Sequence, residues 1–198
     1  MEDAVAVILN EMTIGEAADR LSEALPGHRV EVLKGSIVVT PPPDGPHQET
    51  VAELVYQFRQ AGGRESGLKS LPGIGVWLGT GPDDYAEPDW AIVDADYKDA
   101  LVTKNCYAAN VFRLVLEVTS SNWGNDLVTK AETYAEARIP VYVIADRKHG
   151  EVLVLTDPVG DTYRTRSRYE RGATVVLPPS VGVALELPVD VLLDGDGD

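Results

Sequence analysis

The chain has 198 residues, of which 44% are hydrophobic and 25% charged, a composition typical of one globular domain rather than of a disordered or membrane-embedded chain. Its formal net charge is -15, so the chain has no overall excess of Lys and Arg. Nucleic-acid-binding proteins usually have such an excess, which displaces counterions from phosphates. This charge argues against DNA binding but does not exclude it. The single cysteine, Cys106, rules out an internal disulfide and a metal site built from cysteines.

Both ends of the chain are acidic. The start, MEDAVAVILNEMTIGEAADR, contains only the short apolar run VAVIL, which is too short for a signal peptide or a membrane span. We therefore expect a cytoplasmic protein that contacts no membrane. The predicted organisation is one domain over residues 1–198, with residues 1–12 as an N-terminal extension and residues 194–198 (DGDGD) as a solvated acidic tail.

Two helices and a hairpin are predicted in the first third of the chain. The motif TIGE at residues 13–16 matches a capping box before AADRLSEAL, and the Pro-Gly pair at residues 26–27 ends this helix. HRVEVL and SIVVT are typical of two strands joined by the tight turn Lys34-Gly35. PPPDGP fits neither a helix nor a central strand, whereas HQETVAELVYQFRQAG has apolar residues at helical spacing and predicts a second helix.

Short β-rich segments dominate the rest of the chain. They are GIGVWLG, DWAIVDA, VFRLVLEVT, VYVIAD, EVLVLT and ATVVL. One helix, approximately residues 126–138, interrupts them, so VFRLVLEV, this helix and VYVIAD predict a βαβ unit with parallel strands. Residues 146–150 are expected to connect two hairpin strands. The predicted fold class is α/β or α+β with a mixed sheet.

Glu117 stands among the aliphatic residues of VFRLVLEVTS. Alternation along a strand places it opposite Leu114 and Leu116, on the face that also has Arg113. One interpretation is a polar residue on a partly solvated face, paired with Arg113. The other interpretation is a functional carboxylate, which requires a second acid nearby.

Asp89, in EPDW, is such an acid, because the preceding proline favours extended backbone and AIVDA continues as a strand. If DWAIVDA pairs with VFRLVLEV, Asp89 and Glu117 converge at one end of the sheet. Carboxylates are the oxygen ligands that Mg²⁺ or Mn²⁺ prefers. Without Glu117 nearby, Asp89 is interpreted as an ordinary turn or strand-edge residue.

Asp126, Lys130 and Tyr134 recur every four residues and therefore lie on one face of the helix that follows Glu117. This face would place the cationic side chain of Lys130 near the strand that contains Glu117. An Asp–Lys pair at this spacing is also common on helix surfaces, where it contributes only about 0.2–0.5 kcal/mol. The spacing alone therefore does not indicate catalysis.

These motifs together resemble a known family. HRVEVLKGSIVV, PPPDGPHQ, EPDWAIV, LVLEVTS, residues 126–130, Tyr134 and IPVYVIAD are similar in order and spacing to the putative restriction endonuclease domain family of bacteria, in the PD-(D/E)XK nuclease superfamily. The resemblance covers approximately residues 13–193. It implies a restriction-endonuclease-like core, with a mixed central β-sheet flanked by helices, and a carboxylate site that binds Mg²⁺ or Mn²⁺.

The resemblance also implies roles for individual residues. Asp89 and Glu117 become metal ligands, the backbone carbonyl of Val118 becomes a further ligand, and Lys130 orients the attacking water or stabilises charge on the scissile phosphate. The usual superfamily pattern has a lysine two residues after the glutamate, where this chain has Thr119. The family resemblance implies that Lys130, on the helix, takes the place of that lysine.

Two further residues fall on family-like positions. Glu31 would add a carboxylate to the site. His47 either contacts substrate or caps a helix, and the cap is the expected role.

The function implied by the resemblance is a Mg²⁺-dependent endonuclease in which a metal-activated water hydrolyses DNA, acting as a homodimer because two strands need two sites. A second hypothesis is a non-catalytic protein of the same fold that serves in binding or assembly, favoured by the acidity of the chain and by Thr119. A third hypothesis, a cysteine hydrolase using Cys106 with His28, His47 or His149, has no supporting spacing.

Overall fold

The computed structural model describes residues 12–119 and 124–195, and only the backbone of residues 125–127. The predicted N-terminal extension, residues 1–12, and the predicted acidic tail, residues 194–198, lie largely outside the described residues. Among the described helices, none has the length and the apolar run that crossing a membrane requires.

The described residues form four α-helices and fourteen strands. The helices are α1 (Ile14–Ala24), α2 (Gly45–Gln60), α3 (Ala131–Glu136) and α4 (Val189–Asp194), and a π-helical turn, Asn125–Lys130, leads directly into α3. The strands are β1 (Arg29–Leu33), β2 (Ser36–Thr40), β3 (Leu68–Pro72), β4 (Gly75–Trp77), β5 (Tyr85–Ala86), β6 (Trp90–Asp94), β7 (Leu101–Thr103), β8 (Cys106–Ala108), β9 (Phe112–Val118), β10 (Val141–Asp146), β11 (Glu151–Val159), β12 (Thr162–Glu170), β13 (Thr174–Val176) and β14 (Glu186–Pro188).

The strands form two large mixed sheets. The first sheet has the order β2-β1-β5-β4-β8-β7, the second has the order β12-β11-β10-β9-β6-β3, and β13 pairs with β14. In the second sheet β9 and β10 are parallel while its other neighbours are antiparallel. The predicted α+β class with a mixed sheet and the predicted βαβ unit are therefore confirmed. The sequence did not indicate that β1, β2 and β4 join β5, β7 and β8 in a separate sheet.

Local sequence explains the predicted N-terminal elements. Thr13 caps α1 by accepting a hydrogen bond from the amide of Glu16, whose side chain accepts one from the amide of Thr13, so the capping box is confirmed. The β1–β2 hairpin turns at Lys34 and Gly35, which both have positive φ, as a two-residue turn between twisted strands requires.

Helix α2 begins inside PPPDGP, at Gly45, so the expectation that this segment excludes a helix is wrong. Proline is tolerated there because the first amides of a helix have no intrahelical partner. Asp44 provides the cap, since its side chain accepts a hydrogen bond from the amide of His47 across 2.9 Å.

The hydrophobic core lies on both faces of the second sheet. One face packs against α2 and α4, with Leu54, Trp90 and Leu192 fully buried. The other face packs against the first sheet and α3, with Val76 and Ile144 fully buried. Glu117 pairs in register with Ile144, so its side chain lies on the face that meets the first sheet.

Candidate functional site

Three carboxylates lie where the two sheets face each other. Asp89 directly precedes β6, Glu117 is near the end of β9, and Glu31 is in the middle of β1. Their exposed fractions are 5%, 2% and 1%, respectively. Because a buried charge is costly unless it is paired, the partners of these three groups define the site.

Lys130 joins two of the carboxylates. Its Nζ donates a hydrogen bond to Glu117 Oε1 across 2.8 Å and lies 3.1 Å from Glu31 Oε1. Lys130 is the last residue of the π-helical turn and is itself buried. The geometry is the one expected from the sequence, in which the segment after β9 brings a cation back to the strand.

Arg29 joins Asp89 and Glu117, and sequence reasoning did not identify it. Its Nη2 lies 2.5 Å from Asp89 Oδ1, and its Nη1 lies 3.6 Å from Glu117 Oε2. Burial by itself lowers the pKa of Arg29, but the charges of Asp89 and Glu117 outweigh burial and raise that pKa above its ordinary value. The guanidinium is therefore a fixed positive charge between two carboxylates.

Asp89 has two further partners. The amide of Val118 donates to its Oδ2 across 2.8 Å, and His47 Nε2 lies 3.1 Å from its Oδ1. Burial favours protonation of Asp89, but the hydrogen bond with His47 and the charge of Arg29 outweigh burial and lower its pKa below the ordinary value. The expected capping role of His47 is wrong, because Asp44 is the cap and the imidazole instead faces Asp89.

Tyr134 and Glu87 also contact the carboxylates of the site. The hydroxyl of the fully buried Tyr134 donates to Glu117 Oε1 across 2.9 Å, and burial together with Glu117 raises the pKa of Tyr134. The amide of Glu87 donates to Glu31 Oε1 across 2.8 Å, whereas Glu31 Oε2 is buried without a hydrogen-bond partner in the described part of the chain. One carboxylate oxygen of the site is thus left unpaired.

The other residues considered from the sequence have different positions. The hydroxyl of Thr119 donates to the carbonyl of Ala145 and accepts from the amide of Arg147, so it links β9 to the strand beside it. Arg113 pairs with Asp94 across 2.7 Å, so the interpretation in which Arg113 neutralises Glu117 is wrong. The side chain of Asp126 lies outside the described residues.

Cys106 does not belong to this site. It is buried in β8, and burial together with Glu87 raises the pKa of its thiol to about 11. His47 and His149 face Asp89 and Asp146, respectively. The geometry gives the cysteine-hydrolase hypothesis no support.

The donor chemistry of the site fits a hard divalent cation, since three carboxylates converge and Glu31 keeps one unpaired oxygen. However, among the side chains that the structure describes, which exclude that of Asp126, no three of His, Cys, Asp or Glu form a group that could hold a metal ion. The guanidinium of Arg29 lies between Asp89 and Glu117, 2.5 Å from the first and 3.6 Å from the second.

The fold is similar to that of a solved protein, described as a putative nuclease belonging to DUF820 from Anabaena variabilis, with a TM-score of 0.66 and 18% identity over 93% of this chain and 98% of that chain. Such a likeness concerns the fold alone. None of the curated proteins compared with the sequence matches it. The sequence model of the family described as "Uma2: Putative restriction endonuclease" matches residues 16–190. Because this match covers most of the chain, the chain belongs to that family.

Proposed function

We propose that this protein is an endonuclease that hydrolyses phosphodiester bonds of DNA with Mg²⁺ or Mn²⁺. The observation that carries the proposal is the buried cluster of Glu31, Asp89 and Glu117 with Lys130 beside it. Membership of a restriction endonuclease family and the nuclease-like fold support this chemistry. The active unit is a homodimer, since cutting both strands requires two sites. Each chain forms one domain over residues 1–198, and the dimer acts in the cytoplasm.

The carboxylates of Asp89 and Glu117, with the carbonyl of Val118 and the unpaired oxygen of Glu31, would hold the divalent ion. When bound, such an ion polarises the phosphate and generates a hydroxide-like nucleophile. Lys130 provides a localised positive charge that orients the attacking water or stabilises charge on the phosphate. His47 and Tyr134 orient the carboxylates through their contacts with Asp89 and Glu117.

Charge balance supports an exchange of Arg29 for the metal ion. The formal negative charges of Glu31, Asp89 and Glu117 exceed the formal positive charges of Arg29 and Lys130 by one. Replacing Arg29 by a divalent cation makes the positive and negative formal charges equal. The side chain of Arg29 is 20% exposed, so the guanidinium has a route to solvent or to a phosphate of the substrate.

Lys130 takes the role of the lysine that the superfamily pattern has at Thr119. Two observations support this assignment. The hydroxyl of Thr119 is occupied within the sheet, and Nζ of Lys130 is already 2.8 Å from Glu117. Two carboxylates of the proposed site, Glu31 and Glu117, contact Lys130.

A second function, a non-catalytic binding or assembly protein of the same fold, is favoured by the position of Arg29 and by the acidity of the chain. In that case the carboxylates and cations would form a structural network only. The two functions differ in whether a divalent cation binds and whether DNA is cut.

The test is cleavage of supercoiled plasmid with Mg²⁺ or Mn²⁺ by the wild type and by the Glu117→Gln and Lys130→Met variants. Both substitutions preserve side-chain size, and circular dichroism verifies that the variants are folded. Arg113→Met is the matched control, because Arg113 pairs with Asp94 away from the carboxylates. We expect cleavage by the wild type and the control only. Equal cleavage by all four proteins would refute the proposed site.

A further inference from the structure

Strand β12 presents an unusual concentration of positive charge. Its sequence, TYRTRSRYE, places Arg164, Arg166 and Arg168 at alternating positions, and all three are exposed. β12 is an edge strand of the second sheet. These three exposed residues, here called the arginine row, form a basic segment of the sheet edge on a chain whose net charge is -15.

The strand register places Arg168 on the same face of the sheet as Glu117. Glu117 pairs with Ile144, Ile144 with Leu153, and Leu153 with Arg168. Directly opposed residues of neighbouring strands point to the same face. Three strand spacings of about 4.8 Å put the backbone of Arg168 about 14 Å from that of Glu117.

The strand pairing also places Arg166 on the face of the sheet that holds Glu117. Arg166 pairs with Leu155, which packs on the face that meets the first sheet. Arg166 also lines a surface cavity of about 220 Å³ together with Ala131 of α3. Arg166 and Arg168 therefore lie beyond α3, on the side of the sheet that holds the carboxylates. Tyr163, the neighbour of Arg164, packs on that same face near the hairpin end of the strand, so Arg164 extends the row along the exposed edge.

Two members of the row have free charges. Within the part of the chain that the structure describes, neither Arg164 nor Arg166 forms an ion pair, although Asp157 and Asp161 belong to the same hairpin. Arg168 pairs with Glu151 while its side chain stays 61% exposed. Unpaired guanidinium groups are well suited to bind phosphate, which they can contact through two parallel hydrogen bonds.

We propose that the arginine row binds the phosphate backbone of the DNA whose scissile bond lies at the carboxylate site, an inference that rests on the proposed function. Successive arginines are about 6.7 Å apart along the strand, about twice the 3.4 Å rise between phosphates of one DNA strand. The spacing allows each arginine to contact a separate phosphate. The other role of such a row is protection of the sheet edge against pairing with another chain.

The test is fluorescence anisotropy with a labelled duplex of about 20 base pairs, in EDTA, from about 50 to 200 mM salt. The proteins are the wild type and the triple variant Arg164→Ala, Arg166→Ala, Arg168→Ala. We expect the triple variant to bind at least tenfold more weakly. Its slope of log affinity against log salt should be smaller by about 2 to 3, since each phosphate contact contributes about 0.9.

Two control variants separate the contribution of the arginine row to DNA binding from that of the total charge. The triple variant Arg20→Ala, Arg59→Ala, Arg64→Ala removes three exposed arginines elsewhere and should keep the wild-type slope. Substitution of the row by three lysines keeps the charge and should retain most of the slope.

Three outcomes would overturn the inference. The first is an unchanged salt slope of DNA binding after removal of the row, and the second is an equal loss of DNA affinity in both alanine variants. The third is aggregation of the row variant while its monomer keeps the wild-type salt slope, which would indicate that the row protects the sheet edge. If the wild type cuts DNA while removal of the row has no effect, only the row is refuted. If the wild type cuts plasmid with Mg²⁺ but binds no duplex in EDTA, only the row is refuted. If the wild type neither binds duplex nor cuts plasmid, the proposed function falls together with the row.

Discussion

The guanidinium of Arg29 lies 2.5 Å from the carboxylate of Asp89. Asp89 has a lowered pKa and Arg29 a raised one, so the contact joins two full charges. A second contact of the same guanidinium, 3.6 Å from Glu117, makes Arg29 a competitor for any cation that the two carboxylates would share.

Removal of this competitor should strengthen metal binding. Arg29→Met keeps an unbranched apolar stem but removes the charged guanidinium, and we expect it to bind Mn²⁺ at least tenfold more tightly than the wild type. Isothermal titration calorimetry near pH 7.5 measures this difference. Arg113→Met serves as the control and should bind like the wild type.

Calorimetry also distinguishes the possible failures. Equal Mn²⁺ affinity in all three proteins would mean that Arg29 does not compete with the metal. Absence of binding in all of them would contradict the metal site itself. If Arg29→Met is poorly folded without metal, the rise of its melting temperature with added Mn²⁺ gives the same comparison.

Loss of Lys130 should destabilise the fold as well as abolish activity. Lys130→Met leaves Glu31 and Glu117 without their shared ammonium group, and breaking a buried ion pair in this way costs about 3–5 kcal/mol. Urea unfolding measures the change in the free energy of unfolding. The exposed pair of Arg113 with Asp94 should contribute less than about 1 kcal/mol, so a loss of similar size in Arg113→Met would contradict this explanation.

The cap of α2 predicts a pH-dependent contribution to stability. Hydrogen bonds from the amide of His47 and from Arg147 lower the pKa of Asp44. A carboxyl whose pKa is lower in the folded state stabilises the fold above its unfolded pKa, about 3.9, and loses this contribution as pH falls through the folded pKa.

Asp44→Ala should therefore cost about 0.5–2 kcal/mol at pH 7, with a smaller difference from the wild type at pH 3. Urea unfolding at pH 7, 5 and 3 follows this difference. A difference independent of pH would mean that the ionised carboxylate is not the stabilising group.

Cys106 should react slowly with alkylating reagents. Burial raises the pKa of its thiol from 9.0 to about 11, so the thiolate fraction near pH 8 falls roughly 100-fold, and limited access slows the reaction further. Mass spectrometry of iodoacetamide adducts in native protein and in urea gives the two rates. Similar rates in both conditions would indicate an accessible, activated thiol and would revive the cysteine-hydrolase hypothesis.

Sequence patterns predicted the elements whose apolar periodicity is local. The capping box before α1, the β1–β2 hairpin and the parallel strands β9 and β10 were all found from their own residues. Strand β12 was missed because TYRTRSRYE, at an exposed edge, has no apolar alternation. In the first sheet, β5, β7 and β8 were missed because each has only two or three residues.

Within the site, sequence spacing identified Asp89, Glu117 and Lys130 but not Arg29. Arg29 meets its partners across the boundary between the two sheets, and no pattern within one segment can show such a contact. Its position two residues before Glu31, on the same face of β1, was the only available signal. His47 was misassigned for the same reason, because its contact with Asp89 joins α2 to a distant strand.

The most direct test of the proposed site is the location of Mn²⁺ by anomalous diffraction from crystals soaked in MnCl₂. We predict an anomalous peak between the carboxylates of Asp89 and Glu117, with Mn–O distances of about 2.0–2.6 Å, near the range of oxygen ligands to Mg²⁺ and Ca²⁺, and with the guanidinium of Arg29 moved away from both. A map with no peak there, and with Arg29 still bridging the two carboxylates at saturating Mn²⁺, would contradict the proposal.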